Sequence, residues 1–129
     1  MPYEVSFSKV FAVPDSGRYI NPCCWGGDVV TAEFLPAVRG KYESIHHEQE
    51  DWGWFMWFRS ANRNLAIDIY CDDAESGAFR IRLTESRKRF ILPAAVEDGP
   101  KLDELRDLLV AQLRRWTGAE PLVERVKSP

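Results

Sequence analysis

The chain has 129 residues, close to the size of one domain, and 45% of them are hydrophobic while 29% are charged. This composition is typical of a folded globular protein and excludes a disordered polar chain. The net charge of -3 weighs against a general nucleic-acid-binding protein, because such domains are usually strongly basic.

Three cysteines cannot all pair in disulfides, and two of them, Cys23 and Cys24, are adjacent. The N-terminus shows no charged leader followed by an apolar stretch, and the longest apolar run, residues 52–58, is far shorter than the ~20 residues of a membrane-spanning helix. We therefore expect a reduced, cytoplasmic protein that has no membrane partner.

The N-terminal third predicts one strand and one helix. Residues 3–7 alternate between apolar and polar types, which indicates a strand with one buried face. Asp28 follows two glycines and is a candidate N-cap for a helix over residues 28–39. Pro36 interrupts that helix, so a strand over residues 29–35 is the alternative.

The middle of the chain predicts a meander of antiparallel strands. Runs rich in aromatic and β-branched residues are separated by short polar loops at residues 52–59, 65–71, 77–83 and 87–92. The last connection is expected to be a two-residue turn at Glu85-Ser86.

A helix is predicted after Gly99-Pro100 and before Gly118, because proline favours the first helical turn and glycine favours the end. Its apolar stripe must pack on the sheet; it consists of Leu102, Leu105, Leu109, Leu113 and Trp116. The sequence therefore predicts an α+β fold with a meandering antiparallel sheet of about four to five strands, a C-terminal helix on one face and an N-terminal helix. Residues 1–118 form the predicted domain, and residues 119–129 a partly ordered tail.

Strand alternation assigns side chains to two faces of the predicted sheet. The face toward the helix holds Trp52, Trp54, Met56, Phe58, Leu65, Ile67, Ile69, Cys71, Phe79, Ile81, Leu83, Phe90 and Leu92. The other face holds the candidate binding residues Phe55, Trp57, Asp68, Tyr70, Arg80, Arg82 and Arg89. The same register places Asp68 opposite Arg80, and Arg82 opposite Arg89.

Aromatic residues and arginine are enriched where proteins meet their partners. The second face therefore predicts a small non-catalytic interaction module that binds another protein or its own copy, the latter as a homodimer. In the alternative interpretation, the N-terminal third covers Phe55 and Trp57 and makes them a second layer of core.

Two further hypotheses come from polar clusters. His46 and His47 lie among four carboxylates, and with Cys23-Cys24 they are candidate metal ligands of a metal-dependent or small-molecule enzyme. Against this, adjacent side chains diverge on a strand and no Cys-x-x-Cys is present, so a solvated acidic loop is the simpler interpretation. We find no catalytic motif and expect no metal or cofactor.

The segment from Arg80 to Arg89 holds five basic residues and one acid, Glu85. Together with Trp57 and Tyr70 it predicts, as a third hypothesis, a binding site for single-stranded nucleic acid. The negative net charge of the chain speaks against a nucleic-acid partner.

Overall fold

The computed structural model describes residues 2–13, 16–87, 95–96 and 100–126. These residues form an α+β fold of one antiparallel sheet and two α-helices. The strands are β1 (Tyr3–Ser8), β2 (Glu43–Glu50), β3 (Gly53–Ser60), β4 (Arg63–Asp73), β5 (Ala78–Arg87), β6 (Ala95–Val96) and β7 (Leu122–Arg125). The helices are α1 (Gly27–Arg39) and α2 (Pro100–Thr117).

The sheet has the strand order β2-β3-β4-β5-β1-β7, and β6 pairs with the last two residues of β5. Strands β2 to β5 follow one another as hairpins, which confirms the predicted meander. The first strand in the chain, β1, lies between β5 and β7 and pairs with both.

Helix α1 confirms the N-terminal helix and overturns the alternative strand. It passes through Pro36, which lies in its last turn, where the missing N–H removes one intrahelical hydrogen bond. Its N-cap is Gly26 with φ of +72°, not Asp28 as predicted. Asp28 lies in the first turn instead, where its carboxylate accepts a hydrogen bond from the Tyr19 hydroxyl at 2.6 Å and pairs with Arg18 at 2.5 Å.

The core lies between one face of the sheet and both helices. The four leucines of the predicted α2 stripe are buried there, together with Val30, Phe34 and Val38 of α1, while Trp116 is partly buried against the same core. The inward side chains of β3, β4 and β5 pack against these helices, as the strand alternation predicts. Neither of the described helices combines the length and apolarity that crossing a membrane requires.

Trp52 is an exception to the predicted inner face. It lies in the turn before β3, and its ring contacts Phe55 and Tyr70 on the opposite face of the sheet. The alternation ends here because Gly53 has a φ of +157°. A Cβ at this glycine would lie 2.3 Å from the carbonyl oxygen of Ile69, so the close approach requires glycine.

The hairpin between β4 and β5 differs from the predicted register by two residues. Asp68 lies opposite Arg82, and Tyr70 opposite Arg80, so the predicted pairing of Asp68 with Arg80 is wrong. A β-bulge between Cys71 and Asp73 shifts the pairing by one further residue next to the turn. Because two residues are one full strand period, every side chain keeps its predicted face.

Strand β5 also continues through the predicted Glu85-Ser86 turn. Glu85 is buried opposite Leu65, and Arg63 lies 3.4 Å from its carboxylate, so the inward charge has a partner. Most of the predicted fourth strand of the meander, together with Arg89 and the pairing of Arg82 with it, lies outside the described residues.

Both edge strands of the sheet are formed by segments in which the sequence predicted no strand. Residues 43–50, interpreted as an acidic loop, form the edge strand β2, and charged side chains of this kind prevent further strands from adding to an edge. At the other edge, β7 lies beyond the predicted domain boundary at residue 118, and its Val123 pairs with Val5.

Candidate functional site: the outer face of the sheet

We call the sheet surface opposite α1 and α2 the outer face. It carries six of the seven predicted binding residues, each half-buried: Phe55, Trp57, Asp68, Tyr70, Arg80 and Arg82. The seventh, Arg89, is not among the described residues.

Within the described part of the chain, neither helix covers this face. Strand β1 is a member of the sheet, and α1 packs on the opposite side, so neither covers Phe55 and Trp57 as the alternative interpretation required. The aromatic side chains of the outer face therefore pack mainly against one another.

Five rings form a connected series across the strands, which we call the aromatic ladder: His46, Trp57, Phe55, Trp52 and Tyr70. His46 on β2 stacks on Trp57 with 5.1 Å between ring centroids, and Trp57 stacks on Phe55 at 4.7 Å. Stacked pairs of this kind contribute about 0.5–1.5 kcal/mol each beyond the area they bury.

The other half of the ladder has a more open geometry. Phe55 and Trp52 meet edge to face at an angle of 69°, and Trp52 is tilted by 43° against Tyr70. The guanidinium of Arg80 lies 4.7 Å from the centre of the Tyr70 ring. These rings have different orientations and do not form a flat platform, and Phe55 is already engaged by Trp57 and Trp52.

A row of mostly charged side chains crosses the outer face through Phe55. Each member lies opposite the next on the neighbouring strand, in the order Glu48, Phe55, Asp68, Arg82, Glu4 and Glu124. Arg82 pairs with Glu4 at 3.7 Å, and Arg80 pairs with Glu4 at 3.6 Å and with Asp72 at 3.3 Å. Both arginines therefore have carboxylate partners within the protein.

Asp68 has no such partner. No hydrogen bond and no ion pair within 4.0 Å joins its carboxylate to another described residue, although Arg82 lies opposite on β5. Burial raises the pKa of Asp68 to about 6, against the opposing effect of the Arg82 charge. The ionised carboxylate is therefore held at a cost to stability.

A second pair of carboxylates borders the same part of the face. Glu48 lies opposite Phe55 and Glu50 opposite Gly53, so alternation along β2 directs both side chains to the outer face. The neighbouring Glu48 raises the pKa of Glu50, chiefly through a side-chain hydrogen bond between the two carboxyl groups.

The predicted metal ligands are not brought together. His46 joins the ladder, whereas His47 lies opposite Met56 and so belongs to the other side of β2. The Cys24 thiol is buried and donates to the carbonyl oxygen of Glu50 at 2.9 Å, and burial raises its pKa. Among residues 2–13, 16–87, 95–96 and 100–126, no group of three or more His, Cys, Asp and Glu side chains is placed to hold a metal ion.

Sequence reasoning missed Trp52, Glu48 and Glu50 as members of this site. The strand that carries the two glutamates has polar residues on both faces, so its period of two is invisible in the sequence. Trp52 was assigned to the inner face, since only the conformation of Gly53 ends the alternation.

Comparisons with protein-family models, with curated proteins and with solved structures give no match to this chain. Its function is therefore argued from its own surfaces.

Proposed function

We propose that the chain is a non-catalytic interaction module that binds another protein through the outer face of its sheet. One observation carries the proposal: the aromatic ladder lies on a face that no described helix covers. Tryptophan, tyrosine and arginine are the residue types that most often dominate binding energy in protein interfaces.

The charge of the outer face favours a foreign partner over a second copy. Around the ladder, the outward carboxylates outnumber the outward guanidinium groups: they include Glu4, Glu48, Glu50, Asp68, Asp72 and Glu124, against Arg59, Arg80 and Arg82. Two such faces in contact would bring like charges together, which costs binding free energy. Self-association remains a result that the experiment below detects.

The same geometry favours a protein over single-stranded nucleic acid. Bases bind by stacking on free ring faces, but Trp57 already stacks with both His46 and Phe55. The arginines that would meet phosphates are paired with Glu4 and Asp72.

The test is capture of a partner by the immobilised protein from a lysate of the source organism, compared with Trp57→Ala. Val10→Ala is the matched control, because Val10 is 70% exposed and lies outside the sheet. We expect a protein retained by the wild type and by Val10→Ala to be lost from Trp57→Ala, as measured by quantitative mass spectrometry.

The proposal fails if every retained protein binds Trp57→Ala as well as the wild type, provided that circular dichroism shows the variant folded. Light scattering on the purified chain gives the second readout. A dimer that Trp57→Ala converts to monomer would show that the face binds its own copy and would overturn the foreign partner.

A further inference from the structure

We infer that a hollow at one end of the outer face, beside a β-bulge in β2, binds the oxyanion group of a small molecule, a phosphate or a carboxylate. Arg59 supplies the positive charge, and Ser44, His46 and Asn64 supply hydrogen bonds. The inference goes beyond the proposed function, because this site requires no protein partner.

The β-bulge shapes this end of the face. Two residues of β2, Ser44 and Ile45, stand opposite the single residue Phe58 of β3. Ile45 packs against the core, whereas Ser44 is exposed and has a φ of +55°. This left-handed conformation is unfavourable for residues other than glycine, so the strand pairing on both sides of the bulge must hold it.

The hollow beside the bulge is large enough for a small ligand. Its volume is about 330 Å³, at the lower end of the range of roughly 300–1,000 Å³ that is common for ligand sites. Its lining combines four polar side chains with two aromatic residues: Ser44, His46, Arg59, Asn64, Trp57 and Phe58.

The chemistry of the lining favours a negatively charged ligand. The Arg59 guanidinium carries only N–H donors and no acceptor, and the Asn64 amide and the Ser44 hydroxyl can donate as well. None of the described residues that line the hollow is acidic. The planar guanidinium matches a pair of oxygens of either a carboxylate or a phosphate.

The four polar side chains of the lining are not engaged elsewhere. No hydrogen bond and no ion pair joins them to another residue in the described part of the chain, although Glu43 lies opposite Arg59 on β2. By contrast, Arg80 and Arg82 on the same face both pair with Glu4. Arg59 can therefore bind a ligand without the loss of an internal ion pair.

The site does not depend on a free aromatic face. Trp57 is already stacked on His46 and on Phe55, and it contributes only an apolar wall. Stacking engages a face of the His46 ring and leaves its two nitrogens, which lie on the ring edge, able to form hydrogen bonds. Because the stacking holds this ring in place, a ligand has less conformational freedom to restrict.

The experiment records proton–nitrogen correlation NMR spectra of the full chain during titration with sodium phosphate and, separately, with sodium acetate, at constant ionic strength. The Arg59 Nε–H and the Asn64 side-chain amide report on the site, and the two anions distinguish a phosphate from a carboxylate ligand. Arg59→Gln removes the charge at an exposed position. Arg39→Gln is the matched control, because Arg39 is an exposed arginine in the last turn of α1, away from the outer face.

We expect saturable shifts of these two signals with at least one of the anions. Arg59→Gln should weaken binding by about tenfold, as the loss of a charge-assisted contact does. Arg39→Gln changes the net charge equally but should change the affinity less than about twofold, as a distant exposed charge does.

A second variant tests the bulge itself. Ser44→Gly should weaken anion binding by about threefold, because it removes one hydrogen-bond donor. The same variant should raise the melting temperature, because glycine adopts a positive φ without strain. Weaker binding by a more stable protein would assign the loss to the missing hydroxyl and not to damage to the fold.

Two results would overturn the inference. One is the absence of saturable shifts with both anions. The other is equal weakening by Arg59→Gln and Arg39→Gln, which would reduce the effect to general attraction between charges. Both results are independent of the proposed function, whose test is the loss of a protein partner from Trp57→Ala.

Discussion

The inner and outer faces of the sheet carry the same kinds of side chain in different surroundings. On β3, Phe58 points inward and is 1% exposed beneath the helices, while Phe55 points outward and packs against Trp52 and Trp57. The faces also treat charge differently, since inward Glu85 has Arg63 as a partner and outward Asp68 has none. Residue type alone therefore does not decide which aromatic cluster is core; the decisive factor is which helices cover it.

Truncating one phenylalanine on each face of β3 should give the largest difference in stability between the two faces. We expect Phe58→Ala to lower the free energy of unfolding by about 3–5 kcal/mol, because it leaves a cavity in a closed core. Phe55→Ala should lower it by less, about 1–2 kcal/mol, because it loses two ring contacts but water can occupy the vacated space. Urea denaturation of both variants measures the difference, and equal losses would mean that the outer face is covered.

The turn that carries Trp52 to the outer face offers the next test. Gly53→Ala should cost about 2–4 kcal/mol, since its Cβ would collide with the backbone at Ile69 and its φ disfavours any side chain. Gly40→Ala is the matched control, because there the nearest atom is 3.5 Å away and φ is -73°. A Gly53→Ala variant as stable as Gly40→Ala would contradict this account of the turn.

Because the Asp68 carboxylate has no ion-pair partner among the described residues, removal of its charge should give a smaller gain in stability that depends on pH. The folded-state pKa of Asp68 is raised to about 6, so between the ordinary aspartate pKa of 3.8 and pH 6 the folded state binds more protons than the unfolded state. Stability from this group is therefore present at low pH and lost as the pH rises through 6. Asp68→Asn should stabilise the protein by about 1–2 kcal/mol at pH 8 and by almost nothing at pH 3.5.

Thermal unfolding of Asp68→Asn across this pH range checks the sign. The groups near Asp68 that carry charge or titrate are Arg82, Tyr70 and Glu48, and His46 lies further along the ladder. If the stability of Asp68→Asn still fell between pH 4 and 6 as it does in the wild type, the effect would belong to another group. Greater stability of Asp68→Asn at pH 8 would show that the ionised carboxylate is held at a cost to the fold.

The sequence predicted those parts of the fold in which a repeating pattern is tied to burial. The stripe of α2 and the alternation along β4 each follow from one buried face, and both are confirmed. The assignment of Phe55, Trp57, Asp68, Tyr70, Arg80 and Arg82 to one face survived a register error, because that error equalled one strand period.

The missed features have no such pattern. β2 is exposed on both sides, and β7 is a short edge strand specified mainly by its pairing with β1. The orientation of Trp52 depends on the conformation of a single glycine. Glu48 and Glu50 could not be placed on the outer face before β2 was known to be a strand.

The position of β1 between β5 and β7 also bears on the order of folding. The Tyr3 hydroxyl donates to Asp103, 100 residues away, and accepts a hydrogen bond from Arg125, 122 residues away. Contacts this distant in the chain form slowly, because a long loop must close before they yield any free energy. The local hairpins of β2 to β5 can form much sooner. During synthesis the edge of β1 that pairs with β7 should therefore stay open until the C-terminal strand has emerged, and this interval is when the nascent chain is most exposed to unwanted strand pairing.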